Sequence, residues 1–425
     1  MVSFRLSLLG PWCLVALLST LVVASPAAVE GKTRGKVAAA WYAGWHATTG
    51  YPLSRVSWKK YTHLTYAFAE TSPDVHKLSF EEATWTNPQL LPQFVSEAHK
   101  HGVKALISIG GWTGSRFFST AVGSASNRTA FVKTVVNFAQ KYHLDGVDFD
   151  WEYPGNQGIG CNTINPQDTS NFLLFLQELR RDPVGSKLLV TAAAATVPFY
   201  GSNGRPSSDV AAFAKLLDYI AIMNYDLWGP WSPTVGPNAP LDDACAPANS
   251  RYGSATSAVR QWSAAGIPHN QLVLGVAAYG HGFRVRRANA FAAGSNSVLA
   301  SYPPFDGVDR PIGDSWDGPG GGTDVCGSPT LPGGTFNFWG LIENGFLNKD
   351  GSPTQGIHYR YDTCSQTPYV YNRTTEIMVA FDNAQSFAAK GNFIKSNGLR
   401  GFATWEAGGD YNDILLDSIR KAGGY

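Results

Sequence analysis

Eight short, nearly continuous apolar runs recur along the chain, at 37–44, 63–69, 104–109, 146–151, 188–194, 219–224, 272–278 and 401–405. A strand with one wet face alternates apolar and polar residues. These runs mostly do not, so they fit parallel strands covered on both faces. Longer segments with helical periodicity separate them. Residues 129–142 gather Phe131, Val132, Val135, Val136, Phe138 and Ala139 largely on one face, and 168–181 do the same with Phe172, Phe175, Leu176 and Leu179. This alternation predicts an α/β fold, a (β/α)8 TIM barrel.

The regularity breaks after the seventh run. Residues 283–376 turn rich in Gly, Pro, Asn and Tyr, with turn signals at 318–322 and 331–334 and their own aromatics, among them Trp316, Phe338 and Trp339. They are expected to form a small α+β insertion domain between strand 7 and helix 7. The barrel is then assembled from 25–282 and 377–425. The first 24 residues read as a signal peptide: Arg5 precedes an apolar stretch over 8–23, and Val22, Val23 and Ala24 suit cleavage. Pro11 interrupts that stretch, leaving too short a run to span a bilayer. The expected product is secreted, extracellular, without a membrane anchor and monomeric.

Cys13 leaves with the signal peptide, and Cys161, Cys245, Cys326 and Cys364 remain. Four cysteines outside the cell imply two disulfides among three possible pairings. Cys161–Cys245 and Cys326–Cys364 are expected, because each pair lies within one region of the map. Asn127 and Asn372 begin Asn-Arg-Thr triplets and are glycosylation candidates. A net charge of +1 argues against a nucleic-acid partner, which demands a basic excess. The 13 tryptophans serve either a large aromatic core or a cleft whose flat rings stack on sugars.

The segment Leu144-Asp-Gly-Val-Asp-Phe-Asp-Trp-Glu-Tyr-Pro154 carries the chemistry. Asp148, Asp150 and Glu152 are spaced by two, so a strand points all three to one face. In a barrel that face is the interior, and Glu152 lies nearest the mouth. Val147, Phe149 and Trp151 then face the helices. Three carboxylates in one file cannot all ionise cheaply, so protons are shared and at least one pKa rises, as a general acid requires. A metal site is the alternative, but no His cluster lies nearby. Neither a metal nor a cofactor is expected.

Asp145-x-x-Asp148-x-Asp150-x-Glu152 resembles the signature of glycoside hydrolase family 18, the chitinases and their relatives. Ser108-Ile-Gly-Gly111 followed by Trp112 resembles the family's strand-three motif. Met223-Asn-Tyr-Asp226 resembles the strand-six motif, and Gly401-Phe-Ala-Thr-Trp405 the last strand. The insertion resembles the extra domain of the deep-cleft subgroup, which includes fungal members. The resemblance implies retaining, substrate-assisted hydrolysis of N-acetylglucosamine polymers, with chitin or chitooligosaccharides as partner. Glu152 would protonate the glycosidic oxygen, and the substrate's own acetamide oxygen would attack. Asp150 would hold the acetamide N–H, Asp148 would share its proton, and Tyr225 would donate to the acetamide oxygen. Asp145, out of step with the ladder, is expected to be structural at the start of the strand.

Trp405 is expected on the cleft floor, with Trp112 exposed after its Gly-Gly turn at Gly111. Phe68 and Met223 should shape the wall, and Asp226 should face sugar. Of Trp41 and Tyr42 one faces the cleft, and the expectation falls on Tyr42. Where the subgroup has Tyr-Gly-Arg, this chain reads Tyr279-Gly-His281. His281 replaces the Arg, Arg284 supplies it, or the contact is lost. The rivals are a chitin-binding lectin on the same barrel and an endo-β-N-acetylglucosaminidase acting on N-glycans.

Overall fold

In the computed structural model residues 35–80 and 89–425 are described, so the expected signal peptide at 1–24 lies outside the described residues. In chain order the strands are β1 (Val37–Ala43), β2 (His63–Thr71), β3 (Leu78–Phe80), β4 (Lys104–Gly110), β5 (Gly146–Asp150), β6 (Leu189–Ala194) and β7 (Tyr219–Ile222). They continue as β8 (Leu272–Ala277), β9 (Tyr279–Arg284), β10 (Thr335–Asn337), β11 (His358–Asp362), β12 (Thr367–Asn372), β13 (Ile377–Ala380) and β14 (Gly401–Trp405). Parallel pairing runs β1-β2-β4-β5-β6-β7-β8-β14, and β14 pairs back to β1. The eight runs read from the sequence therefore close into a TIM barrel. The short β3 adds antiparallel to the end of β2.

The side-chain parity of β5 sorts the two faces. Phe149 points out and meets the edges of Phe172 and Phe175 at 5.7 and 5.4 Å, on the helix Asp168–Arg181. Trp151 stacks on Phe118 at 5.0 Å. Burying rings of this size is worth about 2–3 kcal/mol each, which fixes the register because a one-residue slip would turn them inward. Inside the barrel, Ala39, Ala193, Ala221 and Ala403 are small and leave room for Trp41, Tyr219 and the carboxylates. Register then decides who meets whom. Ser108 on β4 and Thr191 on β6 both lie level with Asp148, and Gly110 lies level with Asp150.

The second sheet is antiparallel, in the order β10-β9-β13-β12-β11. It extends past the expected 283–376 on both sides, from Tyr279 to Ala380. Only Ala278 separates β8 from β9, so the apolar run of the barrel continues into the insertion without a composition break.

The disulfides correct the expected pairing. Cys161 bonds Cys326 and Cys245 bonds Cys364, with Cα–Cα separations of 5.6 and 6.1 Å, within bridging range. Each bridge joins a barrel loop to the insertion. Grouping cysteines by region failed because the loops after β5 and β7 reach across to the inserted domain.

Candidate active site

Asp148 sits deepest in the file. It accepts hydrogen bonds from Trp41 Nε1 at 3.1 Å, Ser108 Oγ at 2.8 Å and Thr191 Oγ1 at 2.5 Å. Burial raises its pKa, and those three donors oppose the rise. Asp150, one step nearer the mouth, is also buried, yet its Oδ1 has no hydrogen-bond partner. Burial drives its pKa well up, and the charges of Glu152 and Asp148 add to the effect. Glu152 follows the strand and is partly exposed. Burial lifts its carboxyl to about 8, opposed by the Tyr153 hydroxyl and reinforced by Asp226. Burial and mutual repulsion in a dry site thus push all three carboxyls upward, so the file shares protons and does not carry three full charges.

The ladder is pinned by its neighbours. Ser115 Oγ donates to the Asp150 carbonyl at 2.9 Å and accepts from the Glu152 N–H at 3.0 Å. Asn162 Nδ2 donates to the Glu152 carbonyl at 2.7 Å. Gly110 has φ +111°, and a Cβ there would lie 2.2 Å from the Asp150 carbonyl oxygen, so only glycine allows β4 to pass. At Gly111, φ +80°, a Cβ would strike the Phe68 ring at 2.8 Å.

A cleft of about 980 Å³ opens above these groups. Trp405 is among its lining residues, stacked on Phe68 at 5.6 Å and tilted against Trp41 at 6.0 Å. Met223 is partly buried and packs against both the barrel-interior cluster and the cluster that holds Tyr225 and Tyr279. Tyr225 is buried, its pKa driven up by burial and then by the charges of Asp150, Asp226 and Glu152. Trp112 (50% exposed) and Trp231 (60% exposed) also line the cleft. Trp45, His46 and Trp316 line it too, with the His46 and Trp316 rings stacked at 3.6 Å.

Asp226 is half exposed in the cleft and adopts a left-handed backbone, φ +56°. Its Oδ1 accepts from the Tyr279 hydroxyl at 2.7 Å and from His281 Nε2 at 2.8 Å. His281 therefore stands in the cleft, while Arg284 turns away to Asp309 at 3.0 Å. Of the three options for the missing Arg, the structure places His281 at the site.

Tyr42 is a correction. It is 0% exposed, packed outside the barrel on Phe94 and Tyr66, with its hydroxyl on the Tyr51 carbonyl. Trp41 is the residue that points inward. Strand parity decides this: Trp41 shares its face with Ala39, which lines the interior. Asp145 lies at the start of β5, accepting from the Ala105 N–H at 3.0 Å, Lys104 Nζ at 2.7 Å and His99 Nε2 at 2.8 Å. Asn127 lies within the helix Ala125–Lys141 and donates to the Thr120 carbonyl, whereas Asn372 ends β12 and accepts from the Thr374 N–H.

Several site groups carry no motif of their own in the sequence. Ser108 and Thr191 become partners of Asp148 only through register. Glu406, directly after Trp405, lines the cleft, accepting from the Ala43 N–H at 3.2 Å and lying 3.5 Å from His46 Nε2. The peptide bonds Ala67–Phe68, Glu152–Tyr153 and Trp405–Glu406 are cis. Among the described residues no helix is long and apolar enough to cross a membrane.

Comparison with known proteins bears on the family and the fold. Residues 37–410 match the family model for Glycosyl hydrolases family 18. A chitinase-like effector of Moniliophthora roreri is 52% identical over 412 residues, covering 97% of this chain and 98% of that protein. Chitinase A1 of Niallia circulans is 33% identical over 330 residues, covering 75% of this chain and 42% of that one. A chitinase crystal structure from Rhizomucor miehei superposes with a TM-score of 0.80 at 31% identity, covering 91% of this chain and all of that one. The chain belongs to glycosyl hydrolase family 18 and is a glycoside hydrolase of the chitinase type.

Proposed function

We propose that the protein hydrolyses β-1,4 linkages between N-acetylglucosamine units of chitin and chitooligosaccharides, with retention and with the substrate's acetamide as nucleophile. One observation carries this reading. Asp150 is a buried carboxyl with an oxygen lacking any partner, set between a fully hydrogen-bonded Asp148 and Glu152. A buried acceptor left open is costly unless a ligand donor fills it. The N–H of a 2-acetamido group is such a donor.

In this mechanism Glu152 holds its proton at mild pH and delivers it to the glycosidic oxygen. The acetamide oxygen attacks the anomeric carbon, closing an oxazolinium ring as the leaving sugar departs. Asp150 passes its proton to Asp148, where it neutralises the charge held by the three donors, and the Asp150 carboxylate left behind holds the acetamide N–H. Tyr225 donates to the acetamide oxygen and aligns it. Water then opens the ring, with Glu152 taking up the water's proton. Trp405 supports the cleaved sugar, and Trp112 and Trp231 offer stacking faces for the next units.

The test is Glu152→Gln assayed on chitohexaose. Turnover should fall by at least about a thousandfold while oligomer binding persists. Normal turnover in that variant would overturn the assignment. A glucose polymer should not be cut, and a high-mannose glycopeptide distinguishes the N-glycan endoglycosidase alternative.

A second reading has an observation of its own. Two relatives, from Moniliophthora roreri and Moniliophthora perniciosa at 52% and 51% identity, bear the name chitinase-like effector. On that reading the chain binds chitin fragments as an effector with weak turnover. The complete acid ladder favours the hydrolase, and the wild-type rate on chitohexaose decides.

A further inference from the structure

A second cavity, of about 470 Å³, opens between the loops after β6 and β7 and the helix Ala255–Ala264. None of the residues lining it lines the catalytic cleft. Its size falls within the range of small-ligand sites. One wall is Tyr252, a ring left 47% exposed.

That ring is held from behind. The buried Trp228 meets it edge-on at 4.6 Å, and Tyr302 of the insertion braces Trp228 at 5.3 Å. A Cβ on Gly236 would lie 2.1 Å from the Trp228 ring, so the loop closes tightly around it. Asp243 accepts from the Gly253 N–H and from Ser254 Oγ, both at 3.0 Å, which fixes the backbone on either side of Tyr252's neighbour. The Cys245–Cys364 bridge fastens the same loop to the insertion. A rigid, exposed aromatic costs no ordering entropy when a ligand stacks on it.

The polar groups on the wall narrow the ligand. Asp242 and the exposed Arg260 line the cavity with Tyr252. Asp242 and Asp243 are matched by Arg251 and Arg260 around the cavity, so no net charge draws a phosphate or any other anion, and a purely apolar ligand would leave these groups without use. A pyranose unit fits all three groups: its C–H face covers an aromatic ring, and its rim of hydroxyls both donates and accepts.

We propose that this cavity is an auxiliary saccharide site that holds a sugar unit of polymeric substrate outside the cleft, with Tyr252 as platform and Asp242 and Arg260 as hydroxyl partners. The identity of the polymer rests on the chitin reading above. The test measures adsorption to insoluble chitin at 4 °C alongside kcat/KM on soluble chitopentaose. Tyr252→Ala and Arg260→Ala should each weaken adsorption about fivefold, the factor for losing one good contact, with chitopentaose kinetics unchanged. Tyr252→Phe keeps the ring and should adsorb as the wild type does, which separates stacking from misfolding. Unchanged adsorption in both alanine variants, with wild-type hydrolysis intact, overturns the auxiliary site alone. Equal losses of adsorption and of chitopentaose turnover overturn it too, since the cavity would then belong to the catalytic unit. A wild type that neither adsorbs to chitin nor cleaves it overturns the chitin reading and this site with it.

Discussion

Replacing Glu406 by Gln should stabilise the protein, and the gain should grow with pH. Glu406 is buried beside Trp405, and burial lifts its carboxyl from 4.5 to about 8, opposed by the Ala43 N–H and reinforced by Asp314. Its folded pKa lies above its unfolded one. The native state therefore keeps this group's full contribution below about pH 4.5 and loses it as pH rises through 8. Each pH unit in that window is worth about 1.4 kcal/mol, so the loss reaches about 5 kcal/mol at pH 8 and above. Gln carries no proton to lose and keeps the amide oxygen that the Ala43 N–H needs. For a folded unit of about 390 residues, 5 kcal/mol corresponds to roughly 6 °C in Tm. Scanning calorimetry of both proteins from pH 4 to 9 reads this directly. Other raised acids, such as Glu152, are present in both and drop out of the difference. A Tm difference that stays flat between pH 5 and 9 would refute the reasoning, because it would mean that Glu406 ionises in the fold as it does in the unfolded chain.

Trp41→Phe removes one of three donors to Asp148 and should lower kcat about tenfold, whereas Tyr42→Phe should leave kcat unchanged and lower stability by about 1 kcal/mol through the lost bond to Tyr51. Steady-state kinetics on chitohexaose and urea unfolding separate the two. His281→Ala should reduce kcat/KM at least about tenfold by leaving Asp226 with Tyr279 as its one hydrogen-bond donor, while Arg284→Ala should leave it unchanged. On the proposed mechanism the wild-type kcat/KM should hold below pH 8 and fall above it, because the proposed acid Glu152 must be protonated to act and its carboxyl is lifted to about 8. An alkaline limb near pH 5 in the pH profile contradicts that assignment.

The barrel and the acid ladder were legible because both rest on local periodicity. Continuous apolar runs announce strands covered on both faces, and spacing by two sends Asp148, Asp150 and Glu152 to one side. What needed the structure is what depends on register and on distant packing. Ser108 and Thr191 look like ordinary strand residues until β4 and β6 are aligned beside β5. Tyr42 was misassigned although the same parity rule applies to it. In an all-apolar strand nothing in the sequence says which face is inside, and the interior Ala residues reveal it only once the barrel closes. The disulfide pairing failed for a related reason, since nearness in sequence says little about loops that meet across a cleft. His281 stands out in the sequence as a departure from the family pattern, but its bond to Asp226 is visible only in the structure.

The two bridges also interleave along the chain. The ring closed by Cys161–Cys326 and the ring closed by Cys245–Cys364 overlap over 245–326, which contains β8 and β9. That stretch belongs to both loops, so it cannot peel away by breaking either link alone. With separations of 165 and 119 residues, each closure restricts the unfolded chain by about 5 kcal/mol at 25 °C. The consequence is mechanical. Two covalent ties hold the insertion to the loops after β5 and β7, so it cannot swing away from the barrel like a hinged cover while both bridges stand.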